Sequence, residues 1–273
     1  MKRLYLLCCF WAIAISALAE TKYQEADSLV FVNYVRYAQS LGHAPSVAET
    51  GKYFLNTPYV SGVLDRENNE PLVVNLRELD CVTFVEHVVA LTLIVRTPNP
   101  EWKSYVALLQ LLRYRDGNRN AYASRLHYLS EWIQQAESNH FLKETTCDWG
   151  GTPYPTQFYL LSAGRKKQQG DKVDTIEIRK LEEIEQRLSK MNYCCLPKNA
   201  LSPNLQEGDL IAFCGDGSGI DVWHVGIVVR KGTEWHLLHA SSTQKKVIIS
   251  SQPLVAYMQS IKRYQGYRVI RLN

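Results

Sequence analysis

Asp80-Cys81-Val82-Thr83-Phe84-Val85-Glu86-His87-Val88-Val89-Ala90-Leu91-Thr92-Leu93-Ile94-Val95 is the stretch that decides how this chain is read. From Cys81 to Val95 it is apolar on nearly every face, broken mainly by Thr83, Glu86, His87 and Thr92. A helix of that composition belongs in the interior, because a surface helix keeps a polar face. Asp80 stands where a polar loop gives way to the apolar run, which puts the Cys81 sulfur at a helix N-terminus. Unpaired backbone N–H groups and the positive end of the helix dipole there favour thiolate over thiol, as a nucleophile requires. Position alone leaves a second reading open, since a buried helix can equally begin with a cysteine for packing.

Working outward, residues 25–41 carry Leu29, Val30, Val32, Tyr34, Val35, Tyr37 and Ala38 at roughly helical spacing, ending near Gly42. Residues 56–62, with Pro58 and Gly62, read as a loop. Further helices are predicted over 101–114, 126–137 and 175–191, the last opened by Asp174 three residues before Glu177, a capping-box-like pair. After Pro203 the character changes to short β-rich runs at 210–213, 222–229, 234–240, 246–250 and 267–272. Helices first and strands afterwards predict an α+β fold, an antiparallel sheet packed against a helical part. No repeat, low-complexity tract or linker interrupts the chain, so residues 20–273 read as a single domain.

Met1-Lys2-Arg3, an apolar run from Leu4 to Leu18 and Ala17-Leu18-Ala19 before Glu20 have the three parts of a secretory signal, residues 1–19. The run is shorter than the ~20 residues that span a bilayer, so the expectation is an exported, periplasmic protein without stable membrane insertion. Cys8 and Cys9 lie inside the run rather than at its end, which argues against lipid anchoring. Removing 19 of 273 residues leaves 254 and takes away Lys2 and Arg3, lowering the formal charge from +4 to +2. That balance carries no nucleic-acid signature. Cys81, Cys147, Cys194, Cys195 and Cys214 remain, an odd number, so at least one thiol stays unpaired; sequence does not say which pair.

A second constellation is Trp223-His224-Val225-Gly226-Ile227-Val228-Val229, then Lys231-Gly232, then Trp235-His236-Leu237-Leu238-His239-Ala240. With Lys231-Gly232 as a two-residue hairpin loop, pairing partners sum to 463, which sets His224 against His239. Side chains so paired are about 5 Å apart, close enough for His239 to orient the His224 ring beside a nucleophile. Either histidine alone also fits a hydrogen-bonded strand residue. A catalytic zinc is not expected: His236 and His239 are three apart on a strand and face opposite ways, and neither His-Glu-x-x-His nor Cys-x-x-Cys occurs.

Asp80-Cys81, Gly208-Asp209-Leu210, His224-Val225-Gly226-Ile227 and His239-Ala240 together resemble the NlpC-type papain-like cell-wall cysteine hydrolases. Asp80 to Glu86 and Arg125-Leu126-His127-Tyr128-Leu129-Ser130-Glu131-Trp132 are similar to the N-acetylmuramoyl-L-alanine amidase-like branch, with a helical insertion at about 96–200. The resemblance implies Cys81 as nucleophile, His224 as base, His239 as orienter, and Tyr59 of Thr57-Pro58-Tyr59 as an oxyanion donor. Two departures touch the groove: Val82-Thr83 follows the cysteine where Ser-Gly is usual, and the loop from Tyr59 to Cys81 is longer. Arg125, His127, Tyr128, Trp132 and Trp149 are candidate substrate contacts, with a helix cap and packing as the alternative for the first four and a turn for the last.

The implied reaction is hydrolysis of the muramoyl to L-alanine amide in small peptidoglycan fragments, including anhydro-muropeptides, by a monomer with no metal or organic cofactor. Two rivals stand beside it. One cuts D-glutamyl-diaminopimelate with the same chemistry; the other only binds wall fragments and uses Cys81 structurally.

Overall fold

A computed structural model describes residues 21–66, 70–170, 174–215 and 219–273; the leader read over residues 1–19 lies outside them. In chain order the helices are α1 (Glu25–Ser40), α2 (Val47–Tyr53), α3 (Cys81–Ile94), α4 (Trp102–Arg113), α5 (Leu129–Ser138), α6 (Leu160–Gln169), α7 (Thr175–Ser189) and α8 (Leu254–Ser260). The strands are β1 (Thr21–Lys22), β2 (Leu72–Val73), β3 (Leu142–Glu144), β4 (Thr152–Pro153), β5 (Cys194–Pro197), β6 (Leu210–Cys214), β7 (His224–Lys231), β8 (Glu234–Ser241), β9 (Lys246–Ile249) and β10 (Gly266–Leu272). The α+β class and the antiparallel sheet follow the sequence; the short β1–β2 pair is parallel.

The chain packs as two compact units, one holding the chain through Ser124 together with Leu238–Ile249, the other Arg125–Leu237 with Ser250–Asn273. The boundary at Ser124 falls inside the stretch read as a helical insertion, so α4 belongs with α3 in the first unit while α5, α6 and α7 belong to the second.

In the first unit α3 is the central element, as its composition dictates: Phe84, Val88, Val89, Ala90 and Leu91 are each wholly buried. Its polar interruptions are buried as well and are answered in kind. The Arg113 guanidinium on α4 donates from Nε to Glu86 Oε2 at 2.9 Å and from Nη1 to the Val73 carbonyl at 2.5 Å. His87 Nδ1 meets the Tyr105 hydroxyl at 2.5 Å, and Thr92 Oγ1 donates to the Val88 carbonyl at 2.8 Å. Asp27 on α1 accepts from the Leu76 N–H at 2.9 Å and from Arg77 Nε at 3.0 Å. These bonds hold Val73, at the end of β2, and Leu76 and Arg77 on the irregular approach to Asp80.

In the second unit β10 is the middle strand, pairing β6 from Gly266↔Cys214 to Ile270↔Leu210 and β5 on its other edge, with β3 alongside its C-terminal end. β6 pairs in turn with β7, Leu210↔Ile227 through Phe213↔His224. Ile211, Phe213, Val228, Leu237, Leu254, Met258, Tyr267 and Val269 form the core on which α8 rests. Asp174 caps α7 by accepting from the Ile176 and Glu177 N–H groups, both at 3.0 Å; Glu177 pairs instead with Arg165 at 2.8 Å, so the reciprocal half of the expected capping box is absent. Cys147 and Cys194 are joined in a disulfide, leaving Cys81, Cys195 and Cys214 as thiols.

Candidate active site

Asp80 is the N-cap of α3 in fact as well as in pattern. Its Oδ1 accepts from the Val82 and Thr83 N–H groups at 3.1 and 2.8 Å, while Thr83 Oγ1 accepts from the Asp80 N–H at 2.9 Å. Thr83 therefore completes a capping box. Cys81 is the first helical residue, half-buried, and is not part of a disulfide.

Tyr59 reaches the same place from the 56–60 loop. The Val60 N–H donates to the Leu79 carbonyl at 3.1 Å and the Leu79 N–H to the Pro58 carbonyl at 3.0 Å, which stitches the tyrosine segment to the residue two before Cys81. The other side of the loop is bonded to the β8–β9 turn: Tyr59 N–H to Lys245 O at 2.9 Å, Val247 N–H to Thr57 O at 2.8 Å and Asn56 N–H to Val247 O at 2.9 Å. Burial, and then the negative charges of Cys81 and Asp80, push the Tyr59 phenol above its ordinary 10.0, so it remains an O–H donor at neutral pH.

His239, on β8, pairs with Ile248 of β9 and is 4% exposed. Burial lowers its pKa to about 4, so the ring is a neutral hydrogen-bonding group in neutral solution. Tyr59, Cys81 and His239 all belong to the first unit.

His224 belongs to the second unit, as the first residue of β7. It is half-buried, and its ring lies nearly parallel to that of Phe213, with centroids 6.2 Å apart; Phe213 stacks in turn on Tyr264 at 4.7 Å. Phe213 was read only as a strand residue. Its pairing with His224 across β6 and β7 carries no local sequence signal.

The hairpin turn after β7 is Gly232-Thr233, not Lys231-Gly232. Gly232 has φ +63°, a left-handed conformation that suits glycine as the first turn residue. The two-residue loop expected from the sequence is therefore displaced by one position.

The substrate-contact residues divide. Tyr128, at the N-cap position of α5 without a side-chain cap bond, is 2% exposed, donates to Glu185 Oε1 at 2.8 Å and packs edge-on against Phe158. Trp132 is 1% exposed on α5. Both side chains are buried in the second unit. Arg125 is buried, His127 is half-buried, and Trp149 is half-buried beneath the Arg271 guanidinium at 5.1 Å. Among the described residues no three His, Cys, Asp or Glu side chains gather as for a metal, and no helix is long and apolar enough to cross a membrane.

Against this geometry stand the relatives. A protein from Bacteroides uniformis ATCC 8492, named an N-acetylmuramoyl-L-alanine amidase, is 34% identical with a TM-score of 0.77, over 84% of this chain and 98% of its own. A Bacteroides fragilis protein, provisionally named a xylanase, is 32% identical with a TM-score of 0.76, over 82% of this chain and 100% of its own. A Legionella pneumophila protein shares the fold at 20% identity, TM-score 0.65, over 91% and 94% of the two chains. No curated protein matches. Residues 49–266 match the family described as AmiA-like, a span that runs from α2 to the start of β10 and takes in every candidate residue above. The chain belongs to the AmiA-like, N-acetylmuramoyl-L-alanine amidase-like family.

Proposed function

We propose that the protein is an exported cysteine amidase of NlpC-type, papain-like architecture, hydrolysing the amide between N-acetylmuramic acid and L-alanine in small peptidoglycan fragments, anhydro-muropeptides among them. The observation that carries this reading is a cysteine outside any disulfide on the first residue of a capped, buried helix, with a protonated tyrosine stitched beside it, in a chain of an amidase-like family.

The Cys81 thiolate attacks the lactyl carbonyl, and the Cys81 N–H and Tyr59 hydroxyl receive the developing oxyanion. His224, protonated by the thiol, gives that proton to the departing L-alanine amine. Water then attacks the thioester as His224 takes its proton, releasing the muramic carboxylate and the thiol. His239, neutral, orients the base. A glycosidase would instead need two carboxylates flanking the bond; at Cys81 the adjacent carboxylate, Asp80, is committed to two backbone N–H groups.

Mass spectrometry of a digested anhydro-muropeptide tests the assignment. Free sugar plus intact stem peptide, lost in Cys81→Ala, is expected. A stem split at D-glutamyl-diaminopimelate would replace the amidase with the endopeptidase, and product release by Cys81→Ala would remove the nucleophile.

A further inference from the structure

The turn joining β8 to β9 ends in Lys245, and β9 begins with Lys246; both are exposed. Lys245 is one of the few non-glycine residues with positive φ, +56°, a conformation lysine adopts at a cost and keeps only where its surroundings impose it. What imposes it is the loop that delivers Tyr59. The Lys245 carbonyl accepts the Tyr59 N–H, Lys246 is bridged to Pro58, and the next residue, Val247, exchanges two backbone bonds with the 56–57 segment.

The two ammonium groups are used differently. Lys246 Nζ donates to Asn56 Oδ1 at 2.9 Å. Lys245 Nζ stands 5.9 Å over the Tyr59 ring, within cation–π range, and among the described residues no carboxylate pairs with it. A positive charge thus stands over the ring of the phenol whose other charged neighbours are Cys81 and Asp80.

We propose that Lys245 is a specificity residue that binds a carboxylate of the substrate chain beyond the scissile amide, a point charge answering an acidic acyl-amino-acid chain. The inference rests on the amidase reading for the identity of that substrate, and on the first unit alone for its geometry.

The test compares N-acetylmuramoyl-L-alanyl-D-glutamate with the same compound carrying both carboxyls as amides. Wild type is expected to favour the acid in kcat/KM by roughly fivefold, through KM, as suits a solvent-accessible ion pair. Lys245→Met brings the ratio to about one, Lys245→Arg retains it, and 0.5 M salt weakens it in the wild type. An unchanged ratio in Lys245→Met overturns the proposal. Calorimetric titration of Cys81→Ala protein, with and without Lys245→Met, reads binding without turnover. Preference for the acid that depends on Lys245, from a wild type that never cleaves the compound, would keep the lysine site and reject the amidase. Cleavage with equal binding of acid and amide would keep the amidase and reject the lysine site.

Discussion

The Arg113 guanidinium and the Glu86 carboxylate meet at 2.9 Å with only 1% and 3% of their side chains exposed, joining α4 to the helix that begins with Cys81 inside the first unit. Removing one partner strands the other charge away from water. Arg113→Met is therefore expected to lower unfolding free energy by about 3–5 kcal/mol, and Glu86→Leu with Arg113→Met to recover most of it, since a matched apolar pair carries no desolvation cost. Urea midpoints of the two variants check this; equal midpoints would refute it.

Asp80 satisfies two N–H groups at the start of α3. Asp80→Ala should cost ~1 kcal/mol in thermal or urea unfolding, and Asp80→Asn less, because the amide oxygen can still accept.

Tyr59→Phe deletes the proposed oxyanion donor and leaves the backbone bonds of its loop in place. The expectation is a fall of ~10²-fold in kcat with KM little altered, the signature of an interaction made in the transition state. Steady-state kinetics on a muropeptide decide it, with unfolding midpoints showing that the fold is kept.

Acid should destabilise the fold through two histidines. His239 has a folded value of about 4 against an ordinary 6.5, and His87 is also lowered well below 6.5, by burial first and by the Arg113 charge second. In that window the unfolded chain binds the protons and the folded chain does not. Stability is therefore complete above about 6.5 and falls as pH drops towards 4, by up to about 1.4 kcal/mol per pH unit for each group. Denaturant melts at pH 7.5, 6 and 5 measure the slope, and His87→Gln should reduce it by one proton's share.

The Cys147–Cys194 disulfide closes a span of 47 residues. Reduction, or Cys147→Ser with Cys194→Ser, should cost about 2–5 kcal/mol. Mass spectrometry after alkylation of the unfolded, unreduced protein should find Cys81, Cys195 and Cys214 modified, and Cys147 and Cys194 protected.

What could be read without coordinates was what local chemistry decides. The apolar run after Asp80 fixes a buried helix and its start, and the period-two runs after Pro203 fix the strands within a residue or two. α6, built from Leu160-Leu161-Ser162-Ala163-Gly164-Arg165-Lys166-Lys167-Gln168-Gln169, was not foreseen; its charged residues find partners on α7, Arg165 with Glu177 and Lys166 with Glu182. β1 and β2, two residues each, offer no period to detect. Which of Cys194 and Cys195 pairs with Cys147 is likewise set by the register of β4 on β5, where neighbours face opposite sides. At the site, Cys81 and Tyr59 were legible as residue types, but the Pro58–Leu79 and Tyr59–Lys245 bonds that bring them together join segments with no shared local signal. The Gly232-Thr233 turn was missed by one residue because Lys231-Gly232 also fits hairpin chemistry.

β8 is shared by both units, and the segment that shapes the Tyr59 loop comes from residues 245–247. During synthesis, then, the first half of the polypeptide emerges long before the strand that finishes it. The corner around Cys81 and Tyr59 is complete only once residues 245–247 have been made, and a truncation after Ser124 should be prone to aggregate, its partner segment never having been made.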